Sequence, residues 1–136
     1  MPMNFEQLSP LYLATHVTIE VDGTWHPAQF AIGSLPHLHV ITAWNPGDAR
    51  PTRDANDCAS RSLYEDLAAL GSTPMPAMGR DPHSDHAEES WAVAGLNDAL
   101  ARELGAKYGQ VAVFRITADR LFVLACRDVS VVSRAH

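Results

Sequence analysis

Changes in the spacing of apolar residues divide the chain into predicted strands and helices. Two β-rich runs, residues 11–21 and 25–32, flank the turn signal DGT at 22–24 and predict a hairpin. Pro27 has no backbone N–H for a sheet ladder, so it places the second strand at a sheet edge. The continuous apolar run LHVITAW at 38–44 is typical of a strand buried on both faces. The first third of the chain therefore predicts three strands.

The spacing then changes to that of a helix over residues 54–70, where apolar residues recur every third or fourth position. Thr52 or Asp54 can accept a hydrogen bond from the free N–H groups at its start, and Gly71 is well placed to end it. The apolar stripe consists of Ala59, Leu63, Leu67 and Leu70.

The second half of the chain predicts four short strands and one further helix. Asn97 can cap that helix, and Gly109 can end it. The last ten residues are expected to be loose, as chain ends often are. The predicted strands are 73–78, which two prolines weaken, 90–95, 110–117 and 120–126; the polar loop is 79–89; the helix carries Leu100, Leu104 and Tyr108.

These elements predict an α+β fold, close to α/β, in one globular domain over residues 1–136. The fold consists of a single mixed β-sheet, in the order β-β-β-α-β-β-α-β-β, with two helices packed on it. A strand, a helix and a next strand form a right-handed crossover, so strands 38–44 and 73–78 should run parallel and end at one edge. Open sheets bind ligands outside the carboxyl ends of such strands, so we expect a cleft there.

Seven residues are candidates for binding a ligand at this edge. Amides, a guanidinium and a carboxylate suit a polar ligand, and the free N–H groups at the first helix's start favour an anion. Each candidate also has a structural alternative: an amide that closes a turn, a surface arginine, or a tryptophan packed in the core. The candidates are Trp44, Asn45, Asn56, Arg80, Glu88, Ser90 and Gln110.

Glu88 is the best candidate for a catalytic residue, as a general base. Ser90 lacks the GxSxG surroundings of a hydrolase nucleophile, and no ordered His and Asp partners accompany it. Whether the protein is an enzyme is left open by these residues, and they specify no particular cofactor.

The histidines make a metal site a minor alternative prediction. His83, Asp85 and His86 lie close together in the polar loop, and imidazole and carboxylate suit a first-row metal. His37 and His39 are two positions apart, but they lie at the start of a strand, at the opposite edge from Asn45. Ordinary solvated or core histidines are therefore the expected outcome.

Composition restricts the class of partner. The net charge is −6, and nine of the ten basic residues are scattered arginines, so a basic patch for nucleic acid is not expected. No apolar run approaches the roughly 20 residues that span a bilayer, and the first six residues lack the features of a signal peptide. We therefore expect a cytoplasmic protein. Two cysteines, Cys58 and Cys126, are too few for a disulfide framework and predict reduced, buried thiols.

Several segments together resemble a bacterial family catalogued as domain of unknown function 3293. The family has no assigned activity, so the resemblance implies a shared small α/β domain and a shared polar edge, without a reaction. The chain departs from the family where a stretch like Trp-Pro-Glu-Pro-Ser is expected, since His86 and Glu89 replace the aromatic residue and the second proline. The resemblance therefore does not define the wall of a pocket at that point. The matching segments are YLATH at 12–16, ITAWNP at 41–46, EES at 88–90 and YGQVAVF at 108–114, with Asn56, Leu63, Leu67 and Gly79.

Two main hypotheses of function follow. The first is a binding protein or small enzyme whose cleft takes a polar or anionic small molecule, such as a nucleotide or a carboxylated metabolite. The second is a non-enzymatic interaction or regulatory protein, in which the polar residues only stabilise loops. Metal-dependent hydrolysis is a minor third. The cleft hypothesis requires Asn45 and Gln110 to lie at the same edge of the sheet.

Overall fold

The structure is a computed structural model that describes residues 4–46 and 49–136. Residues 1–3 lie outside these ranges; they begin the six-residue segment that lacks the features of a signal peptide. Within them the chain forms four helices and eight strands. In chain order the elements are α1 (Phe5–Ala14), β1 (His16–Val21), β2 (Thr24–Pro27), α2 (Ala28–Ala31), β3 (Leu38–Ile41), α3 (Arg53–Ala69), β4 (Met75–Arg80), β5 (Ala87–Val93), α4 (Asp98–Lys107), β6 (Ala112–Ile116), β7 (Arg120–Ala125) and β8 (Val131–Ala135).

All eight strands belong to one curled antiparallel sheet, in the order β2-β1-β4-β5-β3-β6-β7-β8. The α+β class is as predicted, but the mixed sheet with neighbouring parallel strands is wrong. β3 and β4 do run in the same direction, because both pair antiparallel with β5, which lies between them. The connection through α3 leads from β3 to β4 and leaves a gap of one strand between them. The next strand, β5, folds back from β4 in a hairpin and occupies this gap. The carboxyl ends of β3 and β4 therefore still lie at the same end of the sheet.

The predicted number of two helices is wrong, and the main reason is α1. Residues 11–14 belong to this helix and not to the predicted strand 11–21. The side chain of Asn4 accepts from the Gln7 backbone N–H, and the Gln7 side chain accepts from the Asn4 N–H, which is a complete capping box. Pro10 cannot donate to the Glu6 carbonyl; the Ser9 hydroxyl donates to it instead.

Two further corrections concern strand ends. Pro27 does lie on an edge strand, as predicted, but the chain then turns into the short helix α2 and does not extend the strand to residue 32. The last ten residues are not loose. They include β8, which pairs with β7 over five residue pairs, so backbone hydrogen bonds hold this end of the chain.

The two predicted helices are confirmed as α3 and α4. Thr52 caps α3 by accepting from the Ala55 N–H, and Asn97 caps α4 by accepting from the Leu100 N–H. Gly71 and Gly109 follow these helices with positive φ angles, as expected after a helix end. Leu70 lies outside the buried stripe, with half of its surface exposed, because the helix ends one residue before it.

Helices cover both faces of the sheet and produce two apolar cores. The core under α3 and α4 includes Leu63, Leu67 and Leu104, packed against Val113 and Leu124 of the sheet. The core on the other face lies under α1 and α2; we call this side the cleft face. None of the helices in residues 4–46 and 49–136 is both long and apolar enough to cross a bilayer.

The two cysteines are free thiols, as predicted, but only one of them is buried. Cys58 is exposed on α3, so the prediction of burial is wrong for it. Burial raises the pKa of Cys126 to about 12, so this thiol stays protonated at neutral pH.

The contact of α3 with α4 gives a prediction for stability. Asp66 accepts from Lys107 Nζ at 2.7 Å and from the Tyr108 hydroxyl at 2.6 Å, and these hydrogen bonds lower the pKa of Asp66. The lowered pKa stabilises the fold above the pKa of the unfolded carboxyl, and this stabilisation is lost as the pH falls through the folded pKa. We expect Asp66→Asn to lower the free energy of unfolding by at most about 1 kcal/mol at pH 7, because the pair is partly exposed.

The same substitution should cost progressively less as the pH falls. Urea unfolding at neutral and acidic pH measures the difference. Asp57→Asn on the same helix is the control, because Asp57 makes only a long contact of 3.7 Å with Arg53. A cost that stays constant with pH would contradict the electrostatic role of Asp66.

Candidate functional site

A cavity of about 490 Å³ opens on the cleft face, at the end of the sheet where β3 and β4 finish. Helix α1 forms one wall, through Leu8, Leu11 and Tyr12. The end of β4 and the loop after it, including Arg80 and His83, form the rim. A pocket of this volume is within the size range of small-molecule sites.

The floor of the cavity comes from the strict alternation of side chains along the strands. Ala92 of β5 belongs to the core of the cleft face, so Glu88 and Ser90, at even spacing from it, point to the same face. Gln110 precedes Ala112 and Phe114 of β6 in the same way. Polar side chains therefore replace the apolar core at this end of the sheet, and Ser90 and Gln110 remain buried there.

Two asparagines hold the Glu88 carboxylate in place. Asn45 Nδ2 donates to Glu88 Oε2 at 3.0 Å, and Asn56 Nδ2 donates to Asn45 Oδ1 at 3.0 Å. The Asn45 backbone N–H donates in turn to Asn56 Oδ1 at 3.1 Å, which makes the asparagine pair reciprocal. Asn56 thus fixes the orientation in which the Asn45 amide presents its N–H₂ to the carboxylate.

The backbone at Asn45 is left-handed, with a φ of 47°. Asparagine adopts this conformation more readily than most non-glycine residues. The following Pro46 packs closely against Gly109, where a Cβ atom would lie 2.9 Å from the Pro46 Cβ. The break after β3 is therefore a sharp local turn that brings Asn45 back over the sheet end, next to the start of β6.

Gln110 is 2% exposed and makes a fixed bridge. Its Nε2 donates to the carbonyls of Trp44 at 3.0 Å and of Tyr108 at 3.4 Å. Within the described part of the chain, its side-chain oxygen has no hydrogen-bond partner. Gln110 and Asn45 both line the cavity, so they lie at the same end of the sheet.

His86 extends the network to the rim. Its Nε2 lies 2.9 Å from Glu88 Oε2, so Asn45 and His86 both donate to the same carboxylate oxygen. The other oxygen, Oε1, has no partner among the described residues. Glu88 therefore combines a held carboxylate with one free acceptor beside the cavity, which is the arrangement that a ligand N–H or a transferred proton requires.

Two aromatic rings meet where the α1 wall joins the floor of the cavity. The Tyr12 and Phe114 rings meet edge to face, with centroids 5.7 Å apart. Burial, together with the Glu88 carboxylate, raises the pKa of Tyr12, so its hydroxyl stays protonated. This wall has a neutral, largely apolar character.

The structure brings five of the seven candidate residues to the cavity and leaves two behind it. Asn56 lies behind Asn45, where it fixes the Asn45 amide. Trp44 does not line the cavity; its ring lies against Arg53 of α3, with the guanidinium carbon 5.4 Å from the ring centroid. The five at the cavity are Asn45, Arg80, Glu88, Ser90 and Gln110.

Sequence reasoning missed the helical wall and the aromatic residue beneath it. The prediction places residues 11–14 in a strand, and it therefore does not identify Leu11 and Tyr12 as lining residues. The capping box of Asn4 and Gln7 was the available signal for this helix. Phe114 was treated only as part of a strand, although it is spaced four residues from Gln110 and so shares its face.

Ser90 is not arranged as a nucleophile. Its hydroxyl donates to the Glu88 backbone carbonyl at 3.4 Å and not to a carboxylate or an imidazole. Of the groups in this cavity, Glu88 is the one whose geometry suits accepting a ligand N–H or a transferred proton.

The histidine candidates do not form a metal cluster among the described residues, since no three His, Cys, Asp or Glu side chains there are close enough to hold an ion. His83 and His86 lie at the cavity rim, whereas Asp85 does not line it. His39 is fully buried at the other end of β3, and its Nε2 lies 2.8 Å from Asp98 Oδ1. Burial lowers the pKa of His39, so it is a neutral core histidine at physiological pH.

Comparison with known proteins gives one match. Residues 41–113, more than half of the chain, match the model of the family described as "Protein of unknown function (DUF3293)". No curated protein and no solved structure matches the chain significantly. The matched segment contains most of the cavity floor, whereas the α1 wall precedes it.

Proposed function

Because the chain belongs to the family described as a protein of unknown function (DUF3293), a description that assigns no activity, we propose a function from the cavity itself. The protein binds a small molecule between α1 and the end of the sheet. One observation carries this proposal: three buried polar side chains, Asn45, Ser90 and Gln110, line the cavity of about 490 Å³.

Unused hydrogen-bonding capacity supports binding over a purely structural role. In the described chain, Glu88 Oε1 and the Gln110 side-chain oxygen lack partners, and the Arg80 guanidinium is also unpaired. Polar groups that only stabilised loops would bond with one another, as Asn45 and Asn56 do. An interaction protein, the alternative hypothesis, would not require polar atoms without hydrogen-bond partners around a cavity.

The lining also refines the expected chemistry of the ligand. The α1 wall is apolar, and the floor and the rim are polar. A ligand with a polar end and an apolar or planar body fits this division better than a wholly polar molecule does.

A blocked cleft tests the proposal. Ala14 lies at the exposed end of α1 and lines the cavity, so Ala14→Trp should fill the cavity mouth without entering the core. We expect a set of metabolites to contain compounds that raise the melting temperature of the wild-type protein. At a ligand concentration of 100 times Kd, binding should raise the free energy of unfolding by about 2.7 kcal/mol. The same compounds should not stabilise the blocked variant.

The matched control is Ala69→Trp, at the exposed end of α3 and away from the cavity. It should retain the full ligand-induced shift. Thermal-shift measurement of all three proteins checks the result. No stabilising compound in the set, or an equal shift in the blocked variant, would refute binding in this cleft.

A further inference from the structure

The floor of the cleft requires a ligand that donates hydrogen bonds. Its side-chain amide nitrogens each have partners, since the Gln110 amide donates to two carbonyls and Asn45 donates to Glu88. Its unpartnered atoms within residues 4–46 and 49–136 are oxygens: Glu88 Oε1 and the Gln110 side-chain oxygen. Carboxylate and amide oxygens only accept, so the inner end of the ligand must donate hydrogen bonds through N–H or O–H groups. An amino group matches these oxygens.

The rim requires the opposite charge. Arg80 lies exposed at the end of β4, its guanidinium has no partner among the residues that the structure describes, and His83 lines the same opening. The acidic residue of this loop that lines the cavity, Asp81, is already engaged, because it accepts from the His83 backbone N–H at 2.9 Å and from the Ser84 hydroxyl at 3.0 Å. A phosphate or a carboxylate at the mouth would therefore meet an available guanidinium.

The wall between these two ends suits a ring. Tyr12 and Phe114 provide aromatic surface, and Leu8 and Leu11 extend it along α1. A ligand that reaches from Glu88 to Arg80 thus has an amino-bearing planar inner part and an anionic outer part. The cavity volume is sufficient for one base, one sugar and one phosphate.

We propose that the cleft binds a nucleoside monophosphate with an amino-substituted base, with the amino group on Glu88 and Gln110 and the phosphate beside Arg80. This inference rests on the proposed function, and it adds the class of the ligand and its orientation. It also assigns Glu88 as the residue that selects the amino group over a keto group, because a keto oxygen would face a carboxylate oxygen.

Calorimetric titration with paired nucleotides tests the selection. AMP and IMP differ by an amino group against a keto oxygen, with an adjacent ring nitrogen that accepts in AMP and carries hydrogen in IMP, and CMP and UMP differ in the same way. We expect at least one amino-base nucleotide to bind roughly tenfold or more tightly than its keto-base partner, the usual effect of a hydrogen bond to a charged group. Glu88→Gln should remove most of this preference, since a glutamine side chain can either accept or donate.

Arg80→Ala tests the orientation, because it should reduce the advantage of AMP over adenosine while the preference for the amino base remains. Glu89→Gln and Arg61→Ala are the matched controls. Glu89 is the neighbouring residue of β5 but contacts Arg53, and neither Glu89 nor Arg61 lines this cavity. Both controls should bind as the wild-type protein does.

The outcomes separate the two proposals. Equal binding of amino and keto nucleotides, or an unchanged preference in Glu88→Gln, overturns the inference. Absence of nucleotide binding overturns it as well, while the proposed function stands if other compounds stabilise the wild-type protein but not Ala14→Trp. If no compound of either set binds, both proposals fail.

Discussion

Replacing Asn45 with aspartate should lower the free energy of unfolding by about 3 kcal/mol at pH 7, equivalent to a fall of about 10 °C in Tm. The substitution keeps the shape of the side chain and its tolerance of the left-handed backbone. It exchanges the N–H₂ group 3.0 Å from Glu88 Oε2 for a carboxylate oxygen, at a site that is 7% exposed. A favourable hydrogen bond thereby becomes repulsion between two poorly solvated charges.

The loss should depend on pH in a defined direction. Two facing carboxylates raise each other's pKa in the folded state, so the folded variant retains a proton that the unfolded chain has released. The deficit relative to the wild-type protein should be small in acid and grow as the pH rises through the ordinary carboxyl range. Thermal unfolding of both proteins, measured at about every pH unit between pH 4 and pH 8, follows this change.

Asn97→Asp is the control for the chemical change alone. Asn97 caps α4 at an exposed position, where aspartate is as good a cap as asparagine. Its stability should change by less than about 0.5 kcal/mol. A similar loss in both variants, or a loss in Asn45→Asp without pH dependence, would contradict the electrostatic role assigned to the Asn45 contact with Glu88.

Gly105→Ala is expected to destabilise the protein by about 2 kcal/mol, although alanine is the better helix former by about 1 kcal/mol. Gly105 lies inside α4, on the side of the helix that packs closely against the sheet. A Cβ atom there would lie 2.5 Å from Cys126 Sγ and 2.6 Å from Val113 Cγ1. Both neighbours are themselves buried in the core under α3 and α4, so they cannot move aside without disturbing it.

The double variant Gly105→Ala/Val113→Ala identifies the cause. Removing the Val113 methyl groups provides part of the missing space, so the double variant should be more stable than the sum of the two single effects predicts. Urea unfolding of the two single variants and the double variant gives the coupling free energy. If Gly105→Ala were as stable as the wild-type protein, the close approach of α4 to the sheet would be incorrect.

Local signals in the sequence predicted the elements whose periodicity was clear. The spacing of Leu63 and Leu67 and the caps at Thr52 and Asn97 located α3 and α4 to within one residue. α1 was missed because β-branched and aromatic residues around 11–21 outweighed a capping box at Asn4. The position of β5 between β3 and β4 could not be read from the sequence, since strand order depends on long-range pairing.

The site was predictable to the extent that it depends on chain direction. β3 and β4 run in the same direction in both the predicted and the observed sheet, so Asn45 and Arg80 were correctly expected at one end. In the structure Glu88 and Ser90 reach this end because β5 pairs antiparallel with β4, and alternation along β5 points both side chains to the same face. The roles of Asn56 and Trp44 were not predictable, because they depend on how α3 packs behind the turn at Asn45.

Arg134 of β8 donates to the backbone carbonyls of Leu13 and Thr15, the latter at 2.9 Å, and so fastens the helix that walls the cavity. These contacts join residues about 120 positions apart in the sequence. A growing chain on the ribosome cannot make them until β8 has emerged, and closing so long a loop is costly in entropy. The helix that walls the cleft is thus made early in synthesis but is fastened only after β8 has been made, so a ligand bound in the cleft would report that β8 is in place.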